Sequence, residues 1–303
     1  MASEFRIYRP GDRAIVAAVI QHPSLAEDFD VMQGPHAVDA WLADPFHDLT
    51  LLELAFEDGA PAGLASVFAL NGRDGGFVMM RIAVLDRFRC HGLGSRLLER
   101  ALAGVARRHP QVAEISTSFW LPNEAAEAFT MKHDLERVRT FWLMERPRGP
   151  IGEPAWPPGI RLAGHDGTDR QYRDIAAAYN DSFAHHYHSV QTTIEETHGI
   201  FERPGMRLDG LMLAYRGDEC VGFCRGELHA SRGEIAVLGT IQSARGIGLG
   251  RALLRWGVQW LERETPGRVT LLVDGQNESA LSLYRSEGFA LARSRAVFSR
   301  APS

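Results

Sequence analysis

One glycine-rich turn occurs twice in this chain, as Arg89-Cys90-His91-Gly92-Leu93-Gly94 and as Arg245-Gly246-Ile247-Gly248-Leu249-Gly250. Each copy follows an apolar, strand-like run and opens an amphipathic helix. Glycines in an Arg-x-x-Gly-x-Gly turn let the backbone approach a ligand closely while successive N–H groups point at it. The first free amides of a helix carry partial positive charge, so such a turn is a seat for phosphate, here a pyrophosphate, and the leading arginine adds a full charge. Asn123-Glu124-Ala125-Ala126 follows the first turn and Asn277-Glu278-Ser279-Ala280 the second, 34 and 32 residues after the arginine. A single glycine-rich turn is weak evidence; two with the same sequel read as two domains of one kind.

The repeat offset of 156 residues predicts domains over 1–147 and 160–303. Phe5-Arg6-Ile7 and Ile160-Arg161-Leu162 open the halves. Residues 148–159 read as a linker, because prolines from Pro147 to Pro158 lack amide donors and disfavour helix and central strand. In the first half, strands over 51–56, 62–70 and 77–84, joined by turns at 57–59 and 71–76, read as an antiparallel meander. A helix over 92–108 follows, with Leu93, Leu97, Leu98, Ala101, Leu102 and Val105 on one face. Then come a strand over 112–119, a short helix over 123–131 capped by Asn123, and a last strand over 137–144. The second half repeats the order, with strands over 211–215, 220–228 and 233–241, a helix over 248–264, a strand over 269–273, a helix over 278–285 and a strand over 289–298. Helical segments over 12–21 and 169–183 precede the two meanders. The fold class is α/β, with a mostly antiparallel mixed sheet in each half.

The 33 basic and 38 acidic residues form no charged blocks, which disfavours nucleic acid and anionic membrane as partners. The apolar run Ala14 to Ile20 is too short to span a bilayer and the N-terminus lacks a signal-peptide pattern, so the expectation is a cytoplasmic protein, monomer or homodimer. Three cysteines without a Cys-x-x-Cys pair suit a reducing compartment, and Cys220 and Cys224 read as core residues on one strand face. No metal is expected: His185-His186-Tyr187-His188 has diverging adjacent histidines and no accompanying acidic or cysteine ligands, and reads as the lip of an acceptor pocket.

The second half continues Asn277-Glu278-Ser279-Ala280-Leu281-Ser282-Leu283-Tyr284-Arg285-Ser286-Glu287-Gly288-Phe289. A strand into Arg-x-x-Gly-x-Gly, a helix, a strand, then Asn-x-x-Ala-x-x-x-Tyr-x-x-x-Gly-Phe resembles the GCN5-related N-acetyltransferases over nearly the whole chain, as two tandem domains. The resemblance implies acetyl-CoA in a cleft where two parallel strands splay, its pantetheine along the strand edge. The pyrophosphate would lie on the turn, held in the second half by Gly239, Thr240, Arg245, Gly246, Ile247, Gly248, Leu249, Gly250, Arg251 and Asn277. The matching residues of the first half are Val84, Arg89, Gly92, Gly94 and Ser95.

Acetyl transfer to an amine needs a free lone pair, yet an alkyl ammonium near pKa 10 is almost wholly protonated at neutral pH, so a base must remove its proton. Glu234, eleven residues before Arg245, is the candidate; a solvated strand glutamate is the alternative. Coenzyme A leaves as a thiolate, which a phenol can protonate, and Tyr284 is the candidate acid, the alternative being a core aromatic. Asn277 either caps its helix or also contacts the cofactor. In the first half Thr130 aligns with Tyr284, Asp134-Leu135 with Gly288-Phe289, and counting eleven back from Arg89 gives Val78 in place of Glu234. That half therefore reads as catalytically degenerate.

The expected function is acetyl-CoA-dependent transfer to the primary amine of a small molecule by the second half. The alternatives are another acyl-CoA or a protein amine as substrate, or a non-catalytic acyl-CoA sensor. Acceptor identity is not encoded in a motif, because specificity resides in loops such as Ala184–Gly205.

Overall fold

Both glycine-rich turns end in a left-handed glycine, Gly92 at φ +79° and Gly248 at φ +88°, and each is the N-cap of a 16-residue helix. A side chain at these φ values would be strained, so glycine is what allows strand, turn and helix to meet. The computed structural model describes residues 3–25, 28–29, 36–70, 76–189, 191–229 and 231–302. They form two units: Met1–Arg139 with Ala296–Ser303, and Thr140–Arg295.

The first unit contains β1 (Ser3–Ile7), α1 (Arg13–Ile20), α2 (Ala37–Leu42), β2 (Glu53–Glu57), β3 (Ala60–Leu70), β4 (Phe77–Val84), α3 (Leu93–Arg108), β5 (Glu114–Leu121), α4 (Glu124–Lys132) and the start of β6 (Glu136–Arg146). Strands β1 to β4 pair antiparallel in chain order, and β5 joins β4 in parallel. Asp58 and Gly59, both at positive φ, close the β2–β3 hairpin. Most of the expected β3–β4 turn, residues 71–75, lies outside the described residues. Leu93, Leu97, Leu98, Ala101 and Val105 of α3 are buried against Val67, Val78, Met80 and Ile115, as a stripe of period 3.6 requires.

The second unit holds the end of β6, then β7 (Ile160–Ala163), α5 (Asp169–Ser182), α6 (Ile194–Phe201), β8 (Leu211–Arg216), β9 (Glu219–Leu228), β10 (Arg232–Thr240), α7 (Leu249–Glu264), β11 (Arg268–Asp274), α8 (Glu278–Ser286) and most of β12 (Ala290–Arg300). Its strand order is β6-β11-β10-β9-β8-β7, with β10 and β11 parallel. Leu249, Leu253, Leu254, Val258 and Leu261 of α7 pack in the core with Cys220 and Cys224.

Two boundaries differ from the sequence reading. Strand β6 completes the second unit, where Thr270, Leu271 and Leu272 of β11 register with Glu145, Met144 and Leu143. The end of β12 lies beside β5 in the first, where Phe298 stacks on Phe119 with ring centroids 4.8 Å apart. Each half thus contributes its last strand to the other half's core. The proline-rich segment also belongs to the second unit. The buried Arg146 guanidinium donates from Nη2 to the carbonyls of Gly149 (2.9 Å) and Pro150 (2.7 Å) and pairs with Glu262 through Nη1 at 2.7 Å. Ile151 and Trp156 pack on the core.

Candidate active site

The parallel strand pair opens in both units. In the second, β10 and β11 register from Arg232–Arg268 to Ile235–Leu271 and then diverge, although β10 continues to Thr240 and β11 to Asp274. In the first, β4 and β5 diverge beyond Met80–Thr117. An opened parallel pair leaves backbone groups facing the gap that an extended amide-bearing chain can use.

Only β10 carries a bulge there, between Ile235 and Val237; β4 runs in continuous register with β3. The extra residue shifts the correspondence upstream of it by one. Two matching hydrogen bonds fix the alignment: the Thr270 hydroxyl donates to the Gly233 carbonyl at 3.1 Å, and the Ser116 hydroxyl donates to the Val78 carbonyl at 3.2 Å. Val78 therefore answers to Gly233, and the counterpart of Glu234 is Met79 rather than Val78. The correction also changes the face, since side chains alternate along a strand. Val78 lies in the α3 core, whereas Met79 is on the opposite side; no carboxylate stands at either place.

A Cβ built on Gly226 or Gly233 would meet Leu261 of α7 at 3.1 or 2.8 Å, so these positions face α7. Arg225, Glu227, Arg232 and Glu234, alternating with them, lie on the other face of the sheet. There Arg225 Nη2 is 2.9 Å from Glu227 Oε1, Arg232 Nη2 is 3.3 Å from Glu234 Oε2, and His229 Nε2 is 3.1 Å from the same Glu234 oxygen. Burial by itself would raise the Glu234 carboxyl, but His229 and Arg232 outweigh it and hold the group below the usual carboxylate range. Arg225, Glu227, His229 and Arg232 were missed in the sequence. The available signal was the alternation Arg225-x-Glu227-x-His229, which means little until the β9–β10 register places it beside Glu234.

In the first unit Phe68 registers with Met79 as Glu227 does with Glu234. Around it pack His47, stacked on Phe68 at 4.4 Å, and Trp41, 4.3 Å from His47. His47 is buried, and burial lowers its pKa. Where the second unit has charges, the first has packed rings.

Tyr284 is buried on α8, its ring 6.1 Å from Phe289. Among the described residues its hydroxyl has no hydrogen-bond partner, and burial raises its pKa, keeping the phenol protonated. The aligned Thr130 is also buried, but its hydroxyl donates to the Glu127 carbonyl at 2.9 Å. Asn277 caps α8, accepting from Ala280 N at 3.1 Å, and Asn123 does the same for Ala126 on α4.

The turns themselves are open: a Cβ on Gly246, Gly248 or Gly92 would meet nothing within 4 Å. Gly250 has only Thr240 and Leu283 near it, at 3.8 and 3.9 Å, whereas Gly94 is closed upon by Phe129 at 3.3 Å. The leading arginines are spent on the backbone. Arg245 donates to the carbonyls of Thr240 (3.5 Å) and Ser182 (2.9 Å), and Arg89 to those of Val84 (3.0 Å) and Ser24 (3.2 Å). Each guanidinium thus fastens its turn to a strand end and to a preceding segment, and its charge stays beside the turn. Arg251 is paired with Glu287 at 2.8 Å, and the Ser95 hydroxyl lies 2.9 Å from His133 Nε2. His185 lies against Gln242, just ahead of the second glycine-rich turn, its Nε2 3.3 Å from Gln242 Nε2. Among the described residues no group of three or more His, Cys, Asp or Glu side chains could hold a metal ion, and no helix is long and apolar enough to cross a membrane.

In each unit, mixed strands with a parallel pair that opens, followed by a left-handed glycine turn and a helix N-terminus, define a tandem coenzyme-A-type acyltransferase fold. The chain belongs to the acetyltransferase (GNAT) family, whose sequence pattern matches residues 19–134 and 172–289. It is similar to the mycothiol acetyltransferase of Thermobispora bispora, 30% identical over 264 residues covering 81% of this chain and 86% of the relative. It is likewise similar to that of Salinispora tropica, 31% identical over 284 residues, 84% and 86% of the two chains. The fold matches a tandem GNAT protein from the clavulanic acid biosynthesis pathway with a TM-score of 0.74, at 16% identity and over 100% and 99% of the two chains. The chain is an acetyltransferase.

Proposed function

We propose that the second unit transfers the acetyl group of acetyl-CoA to the primary amine of a small molecule by direct attack, with Glu234 receiving the amine's proton and Tyr284 protonating the leaving thiolate. The observation that carries this reading is that β10 and β11 diverge immediately after Ile235, the residue following Glu234, beside the only carboxylate-bearing counterpart of the two openings. The residues fit the cofactor: Gly246 and Gly248 leave open space at the turn, and the first N–H groups of α7, from Leu249 to Arg251, have no partner within their helix. Acetyl-CoA supplies an activated acyl group with a good leaving thiolate. An ionised Glu234 draws a proton from the ammonium, and the Tyr284 phenol carries the proton that the departing thiolate needs. The name borne by the relatives supports an acceptor of the mycothiol class.

The test is turnover. Acetyl-CoA is offered with a panel of small primary amines, including a mycothiol-precursor amine, and free thiol release is followed. Amine-dependent release is expected; binding of acetyl-CoA without release for any amine or peptide favours the sensor reading instead.

A further inference from the structure

We propose that the amine's proton, once drawn off by Glu234, comes to rest on His229, whose Nε2 lies 3.1 Å from Glu234 Oε2. This rests on the reading of the second unit as the transferring unit.

Three observations converge. Glu234 Oε2 already faces two partners, Arg232 Nη2 at 3.3 Å and His229 Nε2 at 3.1 Å. The carboxyl is held below its usual range, so it stays ionised and keeps a proton poorly. His229 Nε2 is sealed from solvent with no aligned hydrogen bond, and it shares the Glu234 Oε2 atom with Arg232. A carboxylate against one ring nitrogen stabilises the imidazolium that forms when the ring takes up a proton. An imidazole is also a better-matched base at neutral pH than a carboxylate held low.

The remaining charged groups on this face are paired. Arg225 and Glu227 of β9 face each other at 2.9 Å, Arg268 of β11 and Glu145 of β6 lie 2.7 Å apart, and Arg232 also donates to the Thr270 hydroxyl at 3.2 Å. From α5 and α6, Tyr179 and the ring of Phe201 lie near Arg225.

The step balances. The ammonium proton passes to Glu234, directly or through one water, and from Glu234 Oε2 to His229 Nε2, leaving a neutral amine and an imidazolium against an ionised Glu234. The amine nitrogen bonds to the acetyl carbon as the carbon–sulfur bond breaks. The departing sulfur takes the Tyr284 proton, the amide nitrogen's excess proton restores the phenol through solvent, and the imidazolium returns its proton to water.

The experiment is kcat against pH at saturating acetyl-CoA and amine for wild type, H229Q and E234Q, with H229A assayed in added imidazole. Expected are a loss on the order of 10²-fold in H229Q with its acidic limb flattened, E234Q impaired but still showing that limb, and partial rescue of H229A by imidazole. A purely structural histidine would leave the limb in place and give no rescue, so either result with a folded, impaired variant overturns the proposal. If H229Q matches wild type in rate and limb while E234Q is impaired, the proton rests on Glu234 and the proposal fails alone. An E234Q variant at wild-type rate overturns the base assignment under the proposed function itself.

Discussion

The two units share a backbone plan and differ in what lines the same opening. In the first, Met79 and Phe68 face a packed Trp41–His47 pair; in the second, Glu234 and Glu227 occupy the same registers among Arg225, His229 and Arg232. Thr130 ties its hydroxyl to its own helix, whereas the Tyr284 hydroxyl has no hydrogen-bond partner among the described residues. The turn and helix N-terminus persist where the carboxylate and the phenol do not. Duplicated folds thus retain what the backbone supplies and lose what single side chains supply, because a turn is held by many mutually supporting bonds and a catalytic group by one residue.

The comparison breaks most sharply at Tyr284. Tyr284→Phe preserves the ring and should lower kcat by about 10²–10⁴ with KM for acetyl-CoA little changed, as steady-state kinetics would show. Thr130→Tyr should create no new activity, since its unit has no carboxylate at Met79.

Gly248→Asp comes next. It places a carboxylate and a strained side chain at the proposed seat of the pyrophosphate and should weaken acetyl-CoA binding about 100-fold by titration calorimetry. If turnover survives once the second turn no longer binds, the first unit is the catalyst and the contrast between the units is inverted.

The exchanged strands offer a stability test. Phe298 is buried against Phe119, so Phe298→Ala should cost about 3–5 kcal/mol and lower the melting temperature by roughly 10 °C. Because Phe298 is supplied by the second half's sequence, a proteolytic fragment ending at Glu145 should unfold more readily than the intact chain; equal protection in the two would refute the exchange.

A smaller effect is expected at His47. Burial lowers its pKa, so the folded state resists a proton that the unfolded chain accepts below about 6.5. Stability should therefore fall as pH drops through the ordinary imidazole value and level off below the lowered one, and His47→Phe should remove that contribution in urea denaturation at pH 7.5 and 5.5. The smallest effect is Cys90→Gly. Cys90 holds φ +64° where the second turn has Gly246, and relieving it should stabilise the first unit by no more than about 1 kcal/mol.

Much of this architecture is legible locally. The α3 and α7 stripes, the Asn123 and Asn277 caps and the glycine turns follow from short-range rules, and the structure starts both long helices within one residue of expectation. The boundary at residue 147 was not. Phe141-Trp142-Leu143-Met144 and Ala296-Val297-Phe298 are equally apolar, and nothing in either run states which core it will enter. The bulge at Ile235–Val237 was hidden for the same reason. It exists only in the pairing with β9, so counting along the chain selects Val78 and misses both Met79 and the side of the sheet on which Glu234 stands.

The sequence by itself therefore determined the two turns and the helices they open, because φ preference, capping and periodicity act over a few residues. Only the tertiary structure decided which core each closing strand completes, that Arg245 is consumed by the carbonyls of Thr240 and Ser182, and that His229 meets Glu234. These depend on register between distant segments, where a one-residue shift reverses the face of every side chain and no local preference reports it.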